Sequence, residues 1–200
     1  MRIGIFGGTF DPPHNGHRKY ALEAIDKFQL DMLLVVPTYA APHKFHKGTA
    51  DSTDRMAMTQ LLFGDDSRVN VSDIEIQRQG KSYTVDTVKQ LREEYPEDEL
   101  IFLMGSDMLL SFHRWREPEK IIKYVRIGAV TRCDEIEKDE LEQYVSRYFP
   151  DDTDRFVICD FEPIELSSTE VRLAVQEGRD ISEMVQPQVE EYIKEKELYL

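Results

Sequence analysis

Cysteine is nearly absent from this chain of 200 residues, with only Cys133 and Cys159 present. That excludes a disulfide framework and paired metal-ligand spacing. Two reduced thiols in a cytoplasmic protein is the simpler reading. Long hydrophobic runs are also missing, and no apolar stretch approaches the roughly 18 residues needed to span a membrane. The apolar start is broken at once by Gly4, Gly7 and Gly8, which predicts no signal peptide. Positive charge is scarce: 25 Lys/Arg stand against 39 Asp/Glu, a net charge of −14. An acidic surface repels phosphate backbones, so general nucleic-acid binding is not expected. Two familiar nucleotide fingerprints are absent as well. A Gly-x-Gly-x-x-Gly pattern starting at Gly4 fails at Phe6 and Thr9, and a P-loop ending at Gly80-Lys81-Ser82 would need glycine where Glu75 stands.

What is present is uneven. Residues 1–50 hold six Lys/Arg and four Asp/Glu, leaving a net charge of −16 on the other 150, and four of the five histidines (14, 17, 43 and 46) lie in the same quarter. An acidic protein that binds a small anion needs a local positive pocket, and this quarter can supply one. His14-x-x-His17 and His43-x-x-His46 lack the glutamate of a zincin helix, so no metal site is assigned to them.

Strands alternate with helices along the chain. Arg2–Phe6 reads as a short buried strand. A helix follows from Asn15 or Gly16 to Phe28, with Ala21, Ala24, Ile25 and Phe28 on one face. Met32–Val36 and Leu100–Met104 are continuous apolar runs, as in strands buried on both faces. Ser52 or Thr53 is expected to cap a helix through Phe63, and Arg68–Ile76 to form a strand. Further helices are expected from Thr84 to Tyr95, Pro118 to Tyr124, 135 to 148, Ser167 to Glu177 and Gln188 to Glu197, with strands at Val125–Thr131 and Phe156–Cys159. This pattern predicts an α/β fold with a doubly wound, mainly parallel, Rossmann-like sheet. All 200 residues are read as one domain, with a small C-terminal helical portion from about residue 160 packed on it. Ligands in such sheets bind beyond the carboxyl ends of the strands. The predicted ends carry Gly7–His17, Pro37–Lys47, Gly105–Asp107, Thr131-Arg132 and the loop before Ser167.

Two stretches stand out. Gly8-Thr9-Phe10-Asp11-Pro12-Pro13-His14-Asn15-Gly16-His17 places two histidines in a frame of small residues at the start of a helix. Close backbone approach and a helix N-terminus both favour an anion there. Leu166-Ser167-Ser168-Thr169-Glu170-Val171-Arg172 lies about 150 residues further on. A capping box alone would account for Ser167 and Glu170. The two stretches together resemble the Thr/His-x-x-Gly-His and Ile-Ser-Ser-Thr-x-x-Arg signatures of the nucleotidyltransferase superfamily. Ala41-Pro42-His43-Lys44, Ser82–Thr87, and Gly105-Ser106-Asp107 with Trp115 narrow the resemblance to the bacterial nicotinate-mononucleotide adenylyltransferases. It covers roughly residues 1–132 and 160–200; the acidic segment 134–155 carries no recognised motif.

The resemblance implies adenylyl transfer from ATP, with Mg²⁺, to nicotinate mononucleotide, giving nicotinate adenine dinucleotide and pyrophosphate in NAD biosynthesis. It implies that His14, His17 and Arg172 are catalytic and that Gly8, Thr9, Phe10, Gly105, Asp107, Ser168 and Thr169 bind ATP. Lys44, Thr84 and Trp115 would bind the mononucleotide, and no residue is assigned as a metal ligand. Many relatives carry an aromatic residue after the tryptophan; here it is Arg116, whose guanidinium can pair with a carboxylate. The implied partners are small nucleotides, not nucleic acid or membrane, and a homo-oligomer is compatible. Phosphopantetheine adenylyltransferase shares the end motifs but not the Ser82–Thr87 stretch or Trp115. A non-catalytic nucleotide sensor has no need of intact His14, His17 and Arg172.

Overall fold

The computed structural model describes residues 1–40, 49–131, 135–162 and 165–200. The first half comprises β1 (Arg2–Gly8), α1 (Asn15–Lys27), β2 (Met32–Pro37), α2 (Ser52–Phe63), β3 (Val69–Val71), α3 (Ile74–Arg78), α4 (Thr84–Glu94) and β4 (Glu99–Gly105). The second comprises α5 (Ser106–Leu109), α6 (Pro118–Tyr124), β5 (Arg126–Thr131), α7 (Glu135–Tyr148), β6 (Phe156–Asp160), α8 (Ser168–Gln176) and α9 (Pro187–Glu195). Among the described residues the strands form a six-stranded sheet in the order β3-β2-β1-β4-β5-β6. The chain therefore starts in the middle of the sheet and reverses direction of growth at β1, as the doubly wound pattern predicts. β1 pairs with β4, β4 with β5 and β5 with β6, all parallel.

Two compact units can be distinguished. One comprises Met1–Phe6, Glu23–Leu33 and Tyr83–Pro163. The middles of its strands are apolar, with Ile3, Ile5, Leu100, Leu103, Met104, Ile127 and Ala129 at most 2% exposed. Glycine is required where strand and helix side chains crowd the backbone. A Cβ on Gly128 would lie 2.8 Å from Leu103 and 3.0 Å from both Ile101 and Phe28. Arg92 of α4 closes the far side, donating to the carbonyls of Tyr124, Tyr95, Pro96 and Asp98.

The other unit comprises Gly7–Leu22, Leu34–Ser82 and Ile164–Leu200. Its buried residues include Phe10, Met58, Leu62, Phe63, Val171, Ala174 and Val189.

Two local expectations are corrected. Arg68–Ile76 is not one strand. β3 covers only Val69–Val71, and Ile74–Arg78 is helical. The Ser72 amide still reaches the Val35 carbonyl at 2.8 Å, but the Ser72 hydroxyl oxygen then accepts the Ile74 amide and turns the chain. The cap of α2 is Asp51, whose carboxylate accepts the Asp54 amide at 2.8 Å. A carboxylate there also meets the positive end of the helix dipole.

Candidate functional site

The loop after β1 is built on a buried phenylalanine. Phe10 is 1% exposed and has a φ of 50°, a conformation uncommon outside glycine. Its ring lies over Gly8, where a Cβ would come within 2.9 Å of it, and 4.9 Å from the His17 ring. Phe10 was expected among the ATP-binding residues. Its side chain is instead a packing support beneath His17, so only its backbone can meet a ligand.

His14 and His17 seat each other. The His14 amide donates to Nδ1 of His17 at 3.2 Å, and the His17 amide approaches Nδ1 of His14 at 3.3 Å while also bonding the His14 carbonyl. The ring centroids are 3.7 Å apart. A ring nitrogen that accepts an N–H bond carries no proton, so the proton of each neutral imidazole belongs on Nε2. Burial lowers the His14 pKa to about 4, against a smaller opposing pull from the Glu170 carboxylate. Burial, reinforced by His14, holds His17 well below its ordinary 6.5. Both rings are therefore neutral at pH 7, with Nε2–H as donor.

Asp11 joins the loop to the end of the chain. Its carboxylate, 3% exposed, accepts the Tyr199 hydroxyl at 2.7 Å and the Ala50 amide at 3.0 Å. Its carbonyl accepts Nη1 of Arg172 at 2.6 Å. The Arg172 fork reaches Thr169 Oγ1 with its other nitrogen. Ser168 donates its hydroxyl to the Pro12 carbonyl at 2.9 Å. The two motifs, 150 residues apart, thus meet directly. Ser167 and Glu170 form the complete capping box. Because Ser167 takes the cap, the first-turn amides of α8 at Ser168 and Thr169 face outward from the helix end, an anion-favouring arrangement.

Arg55 of α2 is 5% exposed and was not anticipated. It donates to the carbonyls of Thr9 at 2.7 Å, Tyr39 at 3.1 Å and Ala50 at 3.3 Å. The start of α1 is fixed by Asn15, which donates to the Met184 and Glu183 carbonyls and accepts from Gln186. The roles of Asp11, Arg55 and Tyr199 were not legible in the sequence, because the contacts Arg55–Thr9, Asp11–Ala50 and Asp11–Tyr199 span 46, 39 and 188 residues. Lys44 lies outside the described residues, as do His43 and His46.

The remaining candidates belong to the other unit. Gly105 ends β4 and precedes α5. A Cβ there would meet the Asp107 carboxylate at 2.9 Å, so the absence of a side chain lets Asp107 fold back over the strand end. Thr84 is the first residue of α4, after Tyr83 at the cap position. Trp115 follows the 3₁₀ turn Phe112–Arg114 and is partly exposed, packed edge-on against Phe112 and Phe102 at 5.4 and 6.2 Å. The Arg116 guanidinium lies over the Tyr83 ring, 4.5 Å from its centroid.

Among the described residues no group of three or more His, Cys, Asp or Glu is placed to hold a metal ion, and the Asp11 carboxylate is already committed. Mg²⁺ borne on substrate phosphates keeps most of its ligands from those phosphates and water. No helix among the described residues is long and apolar enough to cross a membrane.

Residues 5–174 match the cytidylyltransferase-like family. The chain is 37% identical over its whole length to a protein of Exiguobacterium sibiricum described as a probable nicotinate-nucleotide adenylyltransferase, covering 99% of that relative. A relative of the same description from Aquifex aeolicus is 42% identical over 76% of this chain and 88% of its own. The fold is similar to that of the Plasmodium falciparum nicotinic acid mononucleotide adenylyltransferase complexed with NaAD. There the TM-score is 0.76, at 20% identity over 99% of this chain and 97% of that one.

Proposed function

Because the chain belongs to the cytidylyltransferase-like family, and within it to the nicotinate-nucleotide adenylyltransferases, we propose that it transfers the adenylyl group of ATP to nicotinate mononucleotide. The products are nicotinate adenine dinucleotide and pyrophosphate, a step in NAD biosynthesis. A phosphate oxygen of the mononucleotide forms the new bond to the α-phosphorus, and the bond to the β-phosphate oxygen breaks. The nucleophile is already anionic, so no general base is required. What the reaction needs is alignment and stabilisation of charge on the departing pyrophosphate.

The observation that carries this chemistry is the reciprocal seat of His14 and His17. Each Nδ1 is engaged by a backbone amide, so each ring enters the reaction as a positioned Nε2–H donor. A donor fixed before substrate arrives needs no reorganisation as charge develops. Arg172, Ser168 and Thr169 supply a guanidinium and helix-end amides for the β- and γ-phosphates. Gly8 and Thr9, with the Phe10 backbone, let the nucleotide approach the loop. Gly105 and Asp107 take the adenosine, while Lys44, Thr84 and Trp115 take the mononucleotide. The Trp115 indole serves as platform for the flat pyridine. Mg²⁺ enters as part of the MgATP substrate. The reaction belongs in the cytoplasm, where both nucleotides are found.

The experiment is a paired assay. Purified protein with ATP and Mg²⁺ releases pyrophosphate when nicotinate mononucleotide is added, and much less with the nicotinamide form. Equal turnover with pantetheine phosphate, or none with either mononucleotide, overturns the reading.

A further inference from the structure

Helix α7 carries no motif, yet its last two turns hold the segment that bears Trp115. The Tyr144 hydroxyl oxygen accepts the backbone N–H of His113 at 2.9 Å and lies 2.7 Å from Nδ1 of the same residue. The one hydroxyl thus meets both the amide and the ring of His113, accepting from the amide, while the tautomer of His113 sets which partner donates in the second bond. Tyr148 stacks on the His113 ring, 4.1 Å between centroids and 14° between planes. One residue earlier, fully buried Phe112 packs on Phe149 at 5.5 Å, just beyond α7, and on Phe156 at 6.3 Å.

The turn so held has little to hold itself. Phe112–Arg114 is a single turn of 3₁₀ helix, whose hydrogen-bond geometry is poor. The chain then passes through Glu117 at a φ of 53° before α6 begins. The rings of Phe112 and Phe102 meet Trp115 edge-on. The plane of its indole is therefore set by where the backbone of residues 112–114 lies, and that backbone is tied to α7 through Tyr144.

We propose that Tyr144 is a positioning residue for the mononucleotide: through His113 it fixes the turn that orients the Trp115 indole. The acidic helix thereby tunes affinity for one substrate and not the other. The proposal rests on Trp115 being the platform for the pyridine ring.

Tyr144→Phe tests it, because the ring and its packing remain and only the hydroxyl is lost. The KM for nicotinate mononucleotide rises about fivefold, the scale of one lost hydrogen bond, while kcat and the KM for ATP stay within about twofold. Trp115 is the chain's only tryptophan, so the emission of the ligand-free protein shifts as well. Unchanged emission together with an unchanged mononucleotide KM overturns the proposal, as does an equal rise in both KM values. His113→Ala, which removes the ring but keeps the amide, is expected to act in the same direction and carries the test if Tyr144→Phe does not fold. Should the wild-type protein fail to use the mononucleotide at all, it is the functional reading that falls. The ligand-free emission of Tyr144→Phe still decides whether Tyr144 orients Trp115.

Discussion

The amide of His14 is bonded to Nδ1 of His17, and the amide of His17 reaches back to Nδ1 of His14. A proton on either Nδ1 would face an N–H and break the arrangement. In the unfolded chain an imidazole titrates near its ordinary 6.5, whereas folded His14 titrates at about 4 and His17 is also held down. Between those values the unfolded state binds more protons, so this contribution to stability is complete above about 6.5 and is lost as pH falls toward about 4. Urea midpoints at pH 7.5 and 5 check it. The wild type is expected to lose more stability over that interval than a His14→Asn, His17→Asn double variant. Equal losses would show that the pair does not titrate as described.

Removing one donor from a preorganised site lowers turnover more than binding. His17→Ala is expected to reduce kcat by on the order of 10² or more, with the unfolding midpoint measured in parallel to show that the fold persists. A reduction below about threefold takes His17 out of the chemistry.

Tyr199→Phe removes the hydroxyl that Asp11 accepts at 2.7 Å. Burial and the carboxylate both raise the Tyr199 pKa, so the phenol keeps its proton and acts as donor at any physiological pH. A buried carboxylate left one bond short costs about 1–3 kcal/mol, read from urea unfolding. A loss under about 0.5 kcal/mol would mean that another donor replaces it.

Arg55→Met keeps much of the side-chain length but leaves the carbonyls of Thr9, Tyr39 and Ala50 without their donor. It also strips the nearby Asp11 of a compensating cation. The expected cost is about 3–5 kcal/mol, the range for breaking a buried charged cluster on one side. An Arg55→Lys variant is expected to recover only part of it, since an ammonium cannot span three separated carbonyls as a planar fork does. Full recovery by lysine would reject the clasp.

Ser167→Ala removes the hydroxyl half of the capping box and is expected to cost about 1 kcal/mol. Thermal unfolding with and without ATP separates this structural role from the phosphate contacts assigned to Ser168 and Thr169.

Much of this molecule could be read from its residues, for local reasons. The alternation of apolar runs with helical spacing announced the doubly wound sheet, and Ser167 with Glu170 announced the cap they form. The two motifs were legible because their chemistry is concentrated in a few adjacent residues. The misreading of 68–76 has a local cause too. Val69 and Val71 are two residues apart, as are Ile74 and Ile76, but the two pairs are out of phase, and a short apolar run cannot be told from helix by spacing alone. The turn at Ser72 and Asp73 decided it. Arg55, Asp11 and Tyr199 are a different case. Each is an ordinary polar residue until the fold brings its partner near, as is Tyr144 at the turn of His113.

The bonds from Ser168 to the Pro12 carbonyl and from Arg172 to the Asp11 carbonyl span 156 and 161 residues. On a ribosome the histidine loop is therefore made early and secured late. Until the intervening chain has been synthesised, the carbonyls of Asp11 and Pro12 lack these two donors. Neither contact can form until residues 168–172 have been made, so the loop is closed only by a nearly complete chain.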